Sequence, residues 1–211
     1  MSGVFARLLR CSRAASAAEF ALVLPLLLLF IFGIIDVGRF MWEINQAEKA
    51  TQVGARMASV TNPVSSGLVD ADFASATLPA GSLIPADALG NLVCSSTSCS
   101  CANCPTSIGS GVDSAAFTAI VNRMAQIKPG ITAANVEVTY RGSGFGYAGA
   151  AASGTGSGSA PPETMEISPL VTVSLKDVQF TPITSLLLTS IDLPSFTTTL
   201  IAEDSAGTYS N

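Results

Sequence analysis

The strongest departure from an even mixture of polar and apolar positions is Phe20–Ile35, 16 residues without a charge. Its apolar positions show no helical or strand period, because nearly all of them are apolar. A segment hydrophobic on every side is either buried in a large core or set in a membrane. A membrane span needs about 20 residues. Including Ala14–Ala18 on one side and Val37-Gly38 on the other reaches that length and places Glu19 at the rim. Pro25 lies inside the run. It reads as a tolerated kink in a membrane helix or as a weak point where the helix bends on leaving the bilayer.

The helical signal continues past the run. Residues 36–60 are mostly helix formers, the next proline is Pro63, and Asp36, Arg39 and Glu43 stand three and four residues apart, as side chains on one helix face do. A helix over 15–60 is about twice as long as a bilayer's hydrocarbon core is thick, so half of it projects. The projecting half carries Ala47, Ala50, Gly54 and Ala58 in one stripe, a face that lets another backbone approach closely. The stripe suits packing against the chain's own outer domain or against helices of other subunits, and the sequence favours neither.

Beyond residue 60 the pattern changes. Residues 61–111 are rich in Pro, Ser and Gly without sustained periodicity and read as loops. Asp113 or Ser114 can cap a helix whose apolar face is Phe117, Ile120, Val121 and Met124, stopped by Pro129-Gly130. Three stretches alternate as half-buried strands do: Asn135–Arg141, Met165–Lys176 and Ser195–Ala202. Gly142–Pro162 is a Gly/Ala/Ser tract, read as a flexible loop. Its glycines lack the strand-loop-helix frame and the lysine of a phosphate cradle. Phe180–Leu193 is a short apolar loop or helix. The expectation is an α+β fold. A long membrane and stalk helix leads into a small extracytoplasmic domain with an antiparallel sheet, one further helix and long loops. The divisions are a basic leader at 1–14, the helix at 15–60 and a head at 61–211.

The order of events before the apolar run changes the functional picture. Arg7, Arg10 and Arg13 come first, then Ala14-Ala15-Ser16-Ala17-Ala18, then Glu19. In an ordinary secretory signal the small-residue cleavage patch follows the apolar core, so the core is lost. Here the patch precedes it, and a cut there removes the basic leader and leaves the apolar helix as the new N-terminus. That is the layout of a pilin precursor. If the cut falls between Ala14 and Ala15, Glu19 becomes the fifth residue of the product. A carboxylate at the edge of hydrocarbon costs a few kcal/mol without a partner. Glu19 either snorkels to the headgroups or pairs with the free amine of Ala15 on an adjacent subunit, at similar depth. The arginines precede the run, and mixed charges follow it, so the N-terminus is expected in the cytoplasm and residues from about 40 onward outside it.

Composition removes several function classes. Net charge is −5 and falls further once the leader arginines go, so there is no electrostatic footprint for nucleic acid. There is no histidine, hence neither the commonest general base nor the commonest metal ligand. No Ser-His-Asp set, P-loop, Rossmann fingerprint or HExxH is present. The expectation is a non-enzyme with no catalytic residue, no cofactor and no resident metal.

Cysteines are the remaining candidates for chemistry. Cys94, Cys99, Cys101 and Cys104 follow the spacing C-x4-C-x-C-x2-C. On an oxidising side of a membrane they read as two disulfides stapling a weak core. Of the three pairings, the one joining Cys99 to Cys101 closes a very tight ring and ranks last. Four thiolates could instead hold zinc, although the spacings are crowded for a zinc module. Cys101 to Cys104 is also a CxxC, without a thioredoxin-like pattern around it. Cys11 lies in the leader, and Arg10 before it argues against a lipid-attachment box.

Ala17-Ala18-Glu19-Phe20-Ala21-Leu22-Val23-Leu24-Pro25, Phe32–Arg39 and Ala50-Thr51-Gln52-Val53-Gly54-Ala55-Arg56 together resemble the N-terminus of TadE-like proteins. These are minor pseudopilins of the tight-adherence (Flp) branch of type IV pili. The resemblance is close over residues 13–60 and loose beyond. It implies inner-membrane insertion and cleavage between Ala14 and Ala15 by a prepilin peptidase. Ala14 stands where the family usually has glycine before the cut. It also implies an assembly role for Glu19 and a part in initiating or tipping a pilus. The implied partners are the prepilin peptidase, other pilins and pseudopilins, the inner-membrane assembly platform and the lipid bilayer. A Val171-Thr172-Val173-Ser174 strand, a Phe180-x-Pro182-Ile183 segment and a last strand ending near Glu203 resemble features of TadE-like outer domains. Two other readings compete: an uncleaved, membrane-tethered scaffold or receptor, and an anchored hydrolase, for which the chain offers only scattered carboxylates.

Overall fold

The computed structural model describes residues 12–105, 108, 110–149, 165–186 and 189–202. The basic leader through residue 11, with Arg7, Arg10 and Cys11, lies outside them, as do most of the Gly-rich tract and Glu203. The architecture is α+β: one long N-terminal apolar helix, then a small domain with an antiparallel sheet and a second substantial helix.

Helix α1 spans Ser12–Val60, 49 residues, and continues through Pro25. At 1.5 Å per residue it is about 73 Å long. The chain forms two compact units that divide within it. One comprises α1 as far as Glu43 together with Gln179–Ile191. The other comprises Ile44–Val178 and the chain from Asp192 onward.

In the second unit α1 is followed by the single turn α2 (Ser66–Val69) and then by a hairpin of β1 (Asn91–Cys94) and β2 (Cys99–Ala102). Helix α3 runs over Ser114–Ile127. The Asp113 carboxylate accepts the amide hydrogens of Ala115 and Ala116 at 2.9 and 3.0 Å, satisfying two of the donors that a helix start leaves open. Pro129 ends it, and Gly130 takes the left-handed conformation (φ 93°) that turns the chain away. Strands β3 (Val136–Arg141), β4 (Leu170–Leu175) and β7 (Phe196–Ile201) complete the sheet in the order β2-β1-β3-β4-β7, all neighbours antiparallel.

Register explains the core. Cys94, Val138, Val173 and Thr198 form one row across the sheet, and Leu92, Tyr140, Val171 and Leu200 the next. Period-2 alternation puts both rows on one face, and apart from the edge strand β7 their members are buried. Against that face lie the C-terminal part of α1 and the apolar side of α3, with Phe117, Ile120, Val121 and Met124 buried. The opposite face carries Glu137, Thr172 and Thr199. There Lys176 bridges Glu137 at 2.7 Å, and the two threonine hydroxyls meet at 2.7 Å. Tyr140 is 1% exposed, and its hydroxyl oxygen accepts the Val64 amide at 2.8 Å. Burial pushes its phenol well above the usual range, so it stays neutral at any physiological pH.

The helix at 114–128 and the strands at 135–141 and 195–202 stand where the alternation predicts them. Two differences have physical causes. The β1–β2 hairpin lies inside the stretch read as loops. Its strands are four residues each and joined by Ser95–Ser98, too short to show a period. The strand expected over Met165–Lys176 begins at Leu170, because Glu166-Ile167 pairs with the 145–147 turn instead of a neighbouring strand.

Candidate functional site

The first unit contains the apolar helix surface. Among the described residues one helical stretch, beginning at Ala17, is long and apolar enough to cross a membrane, with a mean hydropathy of 2.7 over its apolar 18-residue part. A core helix with that composition would be mostly buried, whereas the apolar 18-residue part of this one is 6% buried. Phe20, Leu22, Leu26, Phe30 and Ile34 are exposed. An open apolar face of this extent marks a membrane or protein contact in any chain. The expected processing bond, Ala14 to Ala15, lies in the first turn of α1. Glu19, just over a turn further along, is exposed and makes no polar contact among the described residues.

At the far end of the apolar run sits a feature that sequence reasoning missed. Asp36 is 6% exposed although the residues around it on α1 are open. Segment Gln179–Ile191 covers it. This segment holds β5 (Gln179–Phe180), a tight helical turn at Ile183–Leu186, and the start of β6 (Ile191–Asp192), which pairs with β5. The Ile183 amide donates to Asp36 Oδ1 at 2.7 Å. The Thr184 amide and hydroxyl donate to Oδ2 at 2.9 and 2.8 Å. Arg39 completes the set, its guanidinium 3.3 Å from Oδ1. A carboxylate offers about four acceptor positions, so this one is close to fully satisfied.

Aromatic contacts fix the same segment a turn later. The Phe180 ring meets Phe40 edge-on at 5.4 Å between centroids. The Arg39 guanidinium lies 5.4 Å from the same ring. Each contact contributes about 1 kcal/mol. The signal available in the sequence was an acidic residue ending an apolar run, paired in the reading only with Arg39. Nothing local tells that its main donors come from nearly 150 residues away.

The stripe Ala47, Ala50, Gly54 and Ala58 is buried within the second unit. A Cβ added at Gly54 would stand 2.7 Å from Met124 Sδ and 3.3 Å from Val173 Cγ1. Between stripe positions, Thr51 Oγ1 meets Thr198 Oγ1 of β7 at 3.1 Å. Of the two partners the sequence left open, the chain's own sheet and α3 occupy this face.

The four cysteines pair as Cys94–Cys99 and Cys101–Cys104. The first joins facing residues of β1 and β2, whose Cα atoms are 4.0 Å apart. The second ties the end of β2 to the loop after it. Elsewhere in the second unit, buried Glu166 accepts the Phe73 amide at 2.9 Å and pins the long 61–90 connection.

Residues 14–56 match the family model described as TadE-like protein. The match covers Ala14 and Ala15, Glu19, the apolar run and Ala47, Ala50 and Gly54 of the small-residue stripe, and it suggests a protein associated with the tight-adherence (Flp) pilus system. No curated protein and no solved structure matches the chain.

Proposed function

We propose that this TadE-like chain is a minor pseudopilin. It enters the inner membrane with its N-terminus in the cytoplasm, loses its basic leader to a prepilin peptidase, and takes part in initiating or tipping a Flp-type pilus. The observation that carries the reading is the bare apolar surface of α1, beginning directly after Glu19 and the small-residue patch, within the matched residues. An anchor alone needs neither that patch before the run nor a carboxylate at its edge. A cut between Ala14 and Ala15 leaves the entire surface on the product, with a free amine four residues before Glu19.

The role is structural. The apolar helix, the Ala15 amine and Glu19 do the assembling, the disulfide-stapled head presents a surface, and no bond is made or broken by the protein itself. Prepilin peptidase, neighbouring pilins and pseudopilins, the assembly platform and the bilayer are its partners. The head faces the periplasm, or the exterior when in the fibre.

Processing tests the reading. A peptidase that accepts only a small residue before the cut should reject Ala14→Phe. The variant is expected to accumulate as full-length precursor in the membrane fraction, seen as slower gel migration than the wild-type chain in cells that have the peptidase. Equal migration of variant and wild type in both peptidase-positive and peptidase-negative cells would show that no leader is removed, and would leave the membrane-tethered scaffold as the better reading.

A further inference from the structure

Taking α1 as a membrane span, we infer that the described residues of Gln179–Ile191 form a second membrane element, a strap whose Ile183 and Ile191 side chains lie against lipid at the Trp42 end of the helix. The charge-free run is too short by itself. Phe20–Ile35 rises about 24 Å, whereas the hydrocarbon core is about 30 Å thick. Extending to Trp42 gives 23 residues and about 34 Å, enough to span. The extension brings in one acid and one base, Asp36 and Arg39, whose charges oppose each other at 3.3 Å.

A carboxylate inside hydrocarbon requires its acceptors to be filled. The strap fills them, with three donors from Ile183 and Thr184. Arg39 stacks on Phe180 of the same strap and keeps its side chain 43% exposed, which suits an arginine reaching toward headgroups. Beyond it, Trp42 is 64% exposed, an apolar ring with one polar N–H, suited to the interface between lipid and water. The strap itself has no charged residue from Phe180 to Ile191. Ile183 and Ile191 are 52% and 45% exposed. Ile183 stands beside the open apolar surface of α1, because its own amide bonds Asp36, and Ile191 lies on the strand paired with β5. The occupant assigned to this surface is the acyl-chain region of the nearby leaflet. Water would leave two isoleucines uncovered, and an acidic or basic partner would find no complementary charge.

Depth-dependent quenching tests this on the full chain in phosphatidylcholine vesicles. With Trp42→Phe removing the native tryptophan, single reporters are placed by Ile183→Trp, Ile191→Trp, Phe30→Trp and Ala76→Trp. The vesicles carry lipids brominated either near the carbonyl end or at the middle of the acyl chain. The expected result is quenching of position 183 or 191, strongest by the shallow label, with a blue-shifted emission maximum. Position 30 is quenched most by the deep label, and the exposed head position 76 by neither. If position 30 is quenched but 183 and 191 respond no more than 76, the strap does not touch lipid and the inference is overturned while the span stands. If position 30 also fails to respond, the span itself is wrong and the strap falls with it.

Discussion

Cells carrying Glu19→Ala are expected to insert the chain into the membrane as well as wild type does and to build no pili. Membrane partition is carried by the apolar surface from Phe20 onward, which the substitution leaves untouched. Removing a carboxylate from the rim makes insertion easier, because an unpaired acid there costs a few kcal/mol. Assembly is different. In the proposed fibre Glu19 meets the amine of Ala15 on a neighbour in a setting of low dielectric, where each charge needs the other. Taking away one partner leaves an uncompensated ammonium among apolar helices, a larger loss than the pair's net worth. The readouts are the membrane-fraction signal and the amount of chain in sheared filaments. Normal filaments from Glu19→Ala cells would sink the pairing mechanism.

Gly54→Leu is expected to lower the stability of the head by about 1–3 kcal/mol, the usual cost of forcing extra carbons into a close-packed core. Even a Cβ meets Met124 Sδ at 2.7 Å, and Met124 is fully buried, so it has little space to retreat into. Val173 Cγ1 blocks the next direction at 3.3 Å. A loss of that size is a substantial part of the roughly 5–15 kcal/mol that holds a typical domain together. Denaturant titration in detergent, followed by circular dichroism, should show a lower midpoint. An unchanged midpoint would mean that this stripe faces outward and is free for other subunits.

Much of this fold was legible because its signals are long or repeated. The 49-residue α1 announces itself by an uninterrupted apolar run followed by helix formers. Helix α3 shows four apolar positions on one face between an aspartate cap and a Pro-Gly stop. Strands β3 and β7 alternate over six residues. What stayed hidden depends on distant partners. Four-residue strands such as β1 acquire their identity from pairing with β3, which supplies the ladder that local propensity does not. The small-residue stripe shows that something packs closely but not what, and only the fold places α3 and β4 against it. Asp36 is the clearest case. Its neighbour Arg39 is visible in the sequence, whereas its stronger partners are two backbone amides, which any residue type except proline would supply.

At the proposed site the reading rests on order alone: small residues, a single acid and an apolar run each have a physical job there if the helix is processed and assembled. The strap was unreadable, since an uncharged Thr-Pro-Ile-Thr-Ser segment looks like any loop until it is seen against Asp36.

Assembly depends on which end of the helix survives processing. Intact-mass and N-terminal peptide analysis of the chain, extracted from membranes of cells that assemble pili, measures this directly. The expected product is a mature chain that begins at Ala15, lacks the leader and retains every residue from Phe20 to Trp42. A chain beginning at Met1 or Ser2, or one trimmed beyond Ile35 and recovered free of the membrane, would contradict it.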